Sequence, residues 1–293
     1  MIRIATRGSD LARWQAHWVG ERLGGEYELV IVSTLGDRDS VSPLHEIGGT
    51  GLFVTEVQAC VLDGQADVAV HSAKDLPGAG PAGLTIAAYP FRDSPWDSLV
   101  GCQLDQIPLG GTVATGSVRR RLQLRHLRPD LTFVELRGNM ATRRAKVAQV
   151  DAIVVGTAAF RRLGWGDELT QTFDLNQMVP QVGQGALAVE CRSDDGATVA
   201  SIEQIDVPII RQTVEAERAM LQAMGGGCEF PLGAFAQAAA GDQLQLSGFL
   251  GDLDSGAVVR ATVCGSTSSE LGAELSQRLT AALAEALGKD VPS

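Results

Sequence analysis

The sequence predicts an α/β protein of two lobes joined by two chain crossings, followed by a C-terminal α+β domain. Three observations carry that prediction. Strand-like and helix-like patterns alternate through the first two thirds of the 293 residues, which argues for parallel sheets covered by helices on both faces. Two stretches rich in turn residues, 92–97 (RDSPWD) and 180–190 (PQVGQGALAVE), interrupt the alternation and read as crossings. Past residue 208 the pattern changes to a long helix, three β-rich runs and a last helix. The expected boundaries are 1–91 plus about 186–205 for the first lobe, 96–181 for the second and 208–293 for the last domain, in keeping with the two or three domains a chain of this length forms.

Each element has a local reason. Residues 2–5 form a short apolar strand, and 11–23 carry apolar side chains at helical spacing. A second strand is expected over 27–33, a helix over 52–62, and short buried strands over 67–70 and 84–88. After Pro90 and Pro95 the pattern restarts, with strands at 112–115, 131–135 and 151–155 and helices at 117–127, 139–147 and 157–163. The C-terminal part reads as a helix over 209–224, strands over 233–238, 243–250 and 257–264, and a helix over 269–287. No internal repeat is visible.

Composition narrows the class. With 45% hydrophobic and 20% charged residues the chain is an ordinary globular protein. No apolar run approaches the roughly 20 residues of a membrane helix. The opening residues read as a strand rather than a signal peptide, so the expected compartment is the cytoplasm. Five cysteines (60, 102, 191, 228 and 264) show no CxxC spacing, and four of them sit in apolar or strand-like settings expected to bury their thiols. The four histidines are scattered, so no metal site is expected. A net charge of −11 and few aromatics near the basic residues argue against nucleic-acid binding.

One segment runs against the overall acidity. Residues 119–162 hold arginines 119, 120, 121, 125, 128, 137, 143, 144, 161 and 162 with Lys146, against Asp130, Glu135 and Asp151, a net +8. Lysine is rare elsewhere too, and guanidinium groups grip carboxylate or phosphate through two parallel hydrogen bonds. Two readings are open: an anion site, or arginines that coat solvated helix faces.

Three motifs add chemistry. His71-Ser72-Ala73-Lys74-Asp75 follows the strand at 67–70, at the carboxyl end where ligands bind in open α/β sheets. A carboxylate there can stabilise developing positive charge or pass a proton to a leaving amine; the alternative is a solvated loop ended by Pro77. Gly225-Gly226-Gly227-Cys228 follows a helix and would leave a thiol on an accessible loop, or else is a helix cap with a buried cysteine. Ser117 opens the helix of Arg119 and Arg120 as a plausible N-cap, and Thr6-Arg7-Gly8-Ser9 repeats that arrangement after the first strand. Gly48-Gly49-Thr50-Gly51 is a weaker signal of the same kind.

Taken together, IATRGSDLARWQA (4–16), GLFVTEV (51–57), ADVAVHSAKDLP (66–77), TGSVRRRLQL (115–124), LRGNMATR (136–143), VGQGALAVECR (182–192) and GGGCEFPLGAFA (225–236) resemble the porphobilinogen deaminase family, in family order and over most of the chain. The resemblance implies two periplasmic-binding-protein-like lobes with a cleft, and a transferase that condenses four porphobilinogen molecules head to tail with loss of ammonia and releases 1-hydroxymethylbilane for tetrapyrrole biosynthesis. It implies a self-assembled dipyrromethane cofactor in thioether linkage to Cys228. It implies catalysis by Asp75, beside Lys74, through loss of the amino group and stabilisation of the cation that remains. Cofactor contacts would come from Arg119, Arg120, Ser117, Thr115, Arg143, Lys74 and Asp75. Substrate contacts would come from Arg7, Ser9, Arg137, Arg143, Arg162, His71, Ser72 and Gln184. The family also implies a monomer. The sequence departs from it at Leu35, Thr50 and Thr55, where basic residues are frequent, and at Gly116, where serine is frequent. Two other classes fit parts of the pattern. A solute-binding module would explain lobes and arginines without Asp75 or Cys228. An RNA-binding protein would use only the basic segment.

Overall fold

The structure is a computed structural model that describes residues 1–34, 54–225 and 231–288. Its elements run β1 (Ile2–Arg7), α1 (Asp10–Arg22), β2 (Tyr27–Val32), α2 (Thr55–Leu62), β3 (Val68–Ser72), β4 (Leu84–Ala88), β5 (Asp97–Gly101), β6 (Thr112–Ala114), α3 (Val118–Leu127), β7 (Thr132–Val134) and α4 (Met140–Ala145). They continue with β8 (Ala152–Gly156), α5 (Thr157–Arg162), β9 (Leu169–Thr172), β10 (Leu187–Arg192), α6 (Gly196–Glu203), α7 (Pro208–Ala223), β11 (Leu232–Ala238), β12 (Leu244–Gly251), β13 (Val258–Gly265) and α8 (Ser268–Ala286). Two compact units result: Met1–Asp93 with Gly185–Arg211, and Ser94–Gln184 with Gln212–Ser293.

The first unit holds a five-stranded sheet of order β2-β1-β3-β10-β4. Side-chain alternation along β1 and β3 feeds two cores. Ile4, Val68 and Val70 pack with Ala16 and Val19 of α1, while Ala5 and Ala69 pack with Val57, Cys60 and Val61 of α2. A helix on each face is what strands buried on both sides require. Ser9 starts α1 as its N-cap, accepting from the Ala12 amide at 3.3 Å.

The second unit repeats the design with the sheet order β7-β6-β8-β5-β9. Leu99, Val113, Ala152 and Val154 join Leu124 of α3 in one core; Val100, Ala114, Ile153 and Val155 join Phe160 of α5 in the other. This unit also contains the three-stranded antiparallel sheet β11-β12-β13, packed on α7 and α8 through Met220, Leu246, Val263, Leu271, Leu275 and Leu279. Gly272 lets the two helices touch, because a Cβ there would lie 2.5 Å from Ala219 Cβ and from the Met220 amide nitrogen.

Several expectations change. The α/β sheets are mixed, not parallel: β10 runs against β3 and β4, and β5 against β8 and β9. Each of these strands follows a crossing, which delivers the chain to the sheet from the opposite end. Strands β5 and β9 and helix α6 were not expected from the sequence. Cys60 and Cys191 are buried, but Cys102 is half-buried and Cys264 exposed. β13 is an edge strand, and alternation that turns Val263 inward turns Cys264 out.

Candidate active site

In the first unit a pocket opens where β1 and β3 end. The strands are parallel neighbours with Ile4 opposite Val68 and Ala5 opposite Ala69, so Arg7 and His71 leave the sheet at the same level. The pocket is lined by Arg7, Ser9, Gln15, His71, Ser72 and Asp75 with apolar walls from Val54, Val57 and Val70. Asp75 closes the single 3-10 turn Ala73–Asp75 that β3 runs into. Its half-buried carboxylate has no hydrogen-bond or ion-pair partner among the described residues. The neighbouring groups are held: Ser72 Oγ accepts from Gln15 Nε2 at 2.8 Å, and His71 Nε2 lies 3.1 Å from Glu190 Oε2. Glu190, buried on β10, also accepts from Gln58 Nε2 at 2.8 Å. Sequence reasoning missed Gln15, Gln58 and Glu190; the available signal was a polar side chain on the apolar face of α1, α2 or β10. Lys74 sits half-buried in the same turn, and Ser9 serves as a helix cap as well as pocket wall.

In the second unit the predicted arginine pair surrounds an internal acid. Asp97, the first residue of β5, is completely buried. Its Oδ1 accepts from Arg120 Nε at 2.9 Å and lies 2.7 Å from Arg120 Nη2, and its Oδ2 lies 2.8 Å from Arg119 Nη2. Gln184 Nε2 donates to Oδ1 at 3.0 Å and to the Pro95 carbonyl at 2.6 Å. Burial alone would raise the Asp97 pKa, but Arg119 and Arg120 outweigh it and hold the acid at about 2. Burial in turn pushes the Arg119 guanidinium below its usual value. Arg119 Nη1 donates to the Val179 carbonyl at 2.6 Å, and Arg120 Nη1 to the Val154 carbonyl at 2.9 Å. Each fork keeps donors beyond these, and Arg119 Nη2 makes no well-aligned hydrogen bond despite its burial.

The rest of the basic segment divides between the two readings. Arg121 pairs with Glu135, Arg128 with Asp130 and Arg144 with Glu168, so part of the +8 is structural. Arg143 donates through Nε to the Gly138 carbonyl at 2.8 Å. Arg162 is buried on α5. Arg137 is half-buried, and its guanidinium has no partner among the described residues. Ser117 caps α3 by accepting from the Arg120 amide at 3.4 Å, and buried Thr115 accepts from the Ser117 amide at 3.2 Å. Gly116 lies between them, where a Cβ would come 3.1 Å from the Leu136 carbonyl and Glu135 Oε2. Cys228, Leu35, Thr50 and the glycines of 48–51 lie outside the described residues. Thr55 opens α2 and is exposed.

Residues 2–200 match the family model described as porphobilinogen deaminase, dipyromethane cofactor binding domain, and residues 211–281 match porphobilinogen deaminase, C-terminal domain. The chain belongs to the porphobilinogen deaminase family. Relatives named porphobilinogen deaminase include one from Syntrophus aciditrophicus, 43% identical over 95% of this chain and 94% of its own. Those from Trichlorobacter lovleyi and Brevibacillus brevis are each 39% identical, over 99% and 95% of this chain and 96% and 94% of their own. Among solved structures, Staphylococcus aureus PG110 superposes with a TM-score of 0.43 at 12% identity, over 70% of this chain and 86% of that one. The porphobilinogen deaminase family condenses porphobilinogen into hydroxymethylbilane in tetrapyrrole biosynthesis, so the protein is a transferase with a dipyrromethane cofactor. No helix among the described residues is long and apolar enough to cross a membrane.

Proposed function

We propose that the chain performs the family reaction with Asp75 as its catalytic acid and Cys228, in the domain of residues 208–293, as the attachment point of the dipyrromethane. The observation that carries the first assignment is the Asp75 carboxylate, which has no hydrogen-bond or ion-pair partner among the described residues, in a pocket that also presents Arg7 and Ser9. The pyrrole substrate brings two carboxylates and an aminomethyl group. Arg7, with Ser9 and Ser72 beside it, offers the fork and hydroxyls that a carboxylate needs. When the C–N bond breaks, the electron pair leaves with ammonia and positive charge spreads into the ring. Asp75 is placed to balance that charge and, when protonated, to supply a proton to the amine. Lys74 shares the turn, and His71 stands in the pocket wall with its Nε2 3.1 Å from Glu190.

The donor set of the second unit suits a polyanion. Arg119, Arg120, Arg143, Ser117 and Thr115 would hold the cofactor's acidic side chains. Arg137, Arg162 and Gln184 are assigned to the substrate's. The bound dipyrromethane supplies the ring carbon on which the chain starts. The donor set supports the fit: beyond the N–H groups turned to Asp97, Val179 and Val154, Arg119 and Arg120 each keep further N–H donors, and such forks suit carboxylates. The reading extends to a monomer in the cytoplasm.

Intact-protein mass and Ehrlich's reagent test the attachment: wild type should carry two linked pyrroles and Cys228→Ser none. Asp75→Ala should remain folded, because no hydrogen bond or ion pair among the described residues is lost, with turnover down by roughly 100-fold or more. Near-normal turnover of porphobilinogen by that variant would remove Asp75 from the chemistry. Colourless wild-type protein of unmodified mass, inactive on porphobilinogen, would favour a solute-binding module instead.

A further inference from the structure

Arginine side chains are long and flexible, and two of them side by side repel. Yet Arg119 and Arg120 are 3% and 7% exposed, deeper than most guanidiniums in proteins. Something must hold both charges in place. The only acid in contact with both among the described residues is Asp97, itself 0% exposed, which meets Arg119 through Oδ2 and Arg120 through Oδ1.

Asp97 is in turn held from behind. Gln184 donates to its Oδ1, and the amide of neighbouring Gly183 donates to Glu217 Oε2 at 2.7 Å. Glu217, fully buried on α7, accepts through its other oxygen from the Ala236 amide of β11 at 2.9 Å. Across the same region β11 presses on the arginines' support: a Cβ on Gly233 would lie 2.5 Å from the Pro180 carbonyl and 3.1 Å from Arg119 Cδ. A continuous polar line thus runs from β11 through Glu217, the 183–184 turn and Asp97 to the arginine pair.

We propose that Asp97 is a positioning residue for carboxylate binding: it spreads Arg119 and Arg120 to opposite oxygens and fixes the two forks so that their remaining N–H groups meet the acidic side chains of the cofactor, with Glu217 and β11 holding the clamp. The inference rests on the reading that Arg119 and Arg120 contact that cofactor. It needs no covalent step by Asp97, whose carboxylate stays ionised because the two arginines surround it.

The experiment compares wild type, Asp97→Asn, Glu217→Gln and Arg120→Leu as full-length chains, prepared both without cofactor and after incubation with porphobilinogen. Three quantities are read: the rate at which intact mass rises on loading, circular dichroism, and the difference in Tm between loaded and unloaded protein. A merely structural role would lower both melting temperatures together and leave their difference unchanged. Asp97→Asn should keep a wild-type circular dichroism spectrum, load about tenfold more slowly or worse, and lose most of the Tm gain on loading. Glu217→Gln should show the same pattern, more weakly. If Asp97→Asn does not fold, Asp97→Glu carries the same comparison with the charge retained and the forks displaced by one methylene. The proposal is overturned if a folded Asp97 variant loads at the wild-type rate with an undiminished Tm gain while Arg120→Leu fails to load. If Arg120→Leu itself loads and turns over normally, the underlying assignment of the arginines falls, and the inference with it.

Discussion

Gly233→Ala puts one methyl group where the structure leaves no room. An ideal Cβ would lie 2.5 Å from the Pro180 carbonyl oxygen, 2.9 Å from the Val179 carbonyl oxygen and 3.1 Å from Arg119 Cδ. Two of those neighbours are backbone, and the backbone cannot retreat cheaply. The Val179 amide donates to Gln123 Oε1 at 2.8 Å, and its carbonyl accepts from Arg119 at 2.6 Å and from Gln123 at 3.1 Å. Overpacking against a pinned segment costs about 1–3 kcal/mol, and a neighbour this fixed argues for the upper half of that range. For a domain of this size each kcal/mol moves the melting point by about 2–4 °C, so a loss of roughly 4–12 °C is expected in a calorimetric scan of cofactor-free protein. Loading should slow as well, because the nearest side-chain atom belongs to Arg119. Gly196→Ala is the control: its Cβ meets nothing within 4 Å, and alanine there should be neutral or slightly stabilising. A Gly233→Ala protein that melts within a degree of wild type would refute the packing argument.

Two further outcomes follow from the second unit. Asp97 has a folded pKa near 2, below the roughly 3.9 of an unfolded aspartate, so it contributes stability that is present above about pH 4 and lost as pH falls through 2. The contribution is about 2–3 kcal/mol. Urea midpoints between pH 5 and pH 2 should therefore fall less steeply in Asp97→Asn than in wild type, and matching acid limbs would contradict the assignment. Arg137→Leu should change stability by no more than about 0.5 kcal/mol, since no partner among the described residues is lost, while tetrapyrrole yield drops sharply; an unchanged yield would return Arg137 to the surface.

What could be read from the sequence was what is local. Ser9 and Ser117 cap their helices because capping needs only a hydroxyl a few residues before the amide it serves. The strand ends carrying Arg7 and Asp75 were legible because apolar runs stop there. β5 was not: its few apolar residues follow Pro95 and Trp96, which read as a turn, and so Asp97 was placed in a crossing rather than at the head of a buried strand. β9, LTQT, has no apolar run at all and is held by its pairing with β5. Mixed strand direction was equally hidden, because it depends on where a crossing returns the chain.

The basic segment shows the same limit in its charges. A window count of +8 treats every arginine as available, but the acids that claim them lie partly outside the window: Asp97 takes Arg119 and Arg120, and Glu168 takes Arg144. Those two acids differ in consequence. Glu168 sits in a partly exposed pair on the surface, of the kind worth little to stability, and Arg144 there also covers the Trp165 ring. Asp97 is buried with both partners, where removing one member strands the others and costs about 3–5 kcal/mol. A buried acid of that cost is a poor device for stability alone, since apolar residues of equal volume would serve as well or better. Its placement makes sense if two guanidiniums must be kept adjacent, charged and at a fixed spacing in the absence of a ligand, so that incoming carboxylates find the forks already set.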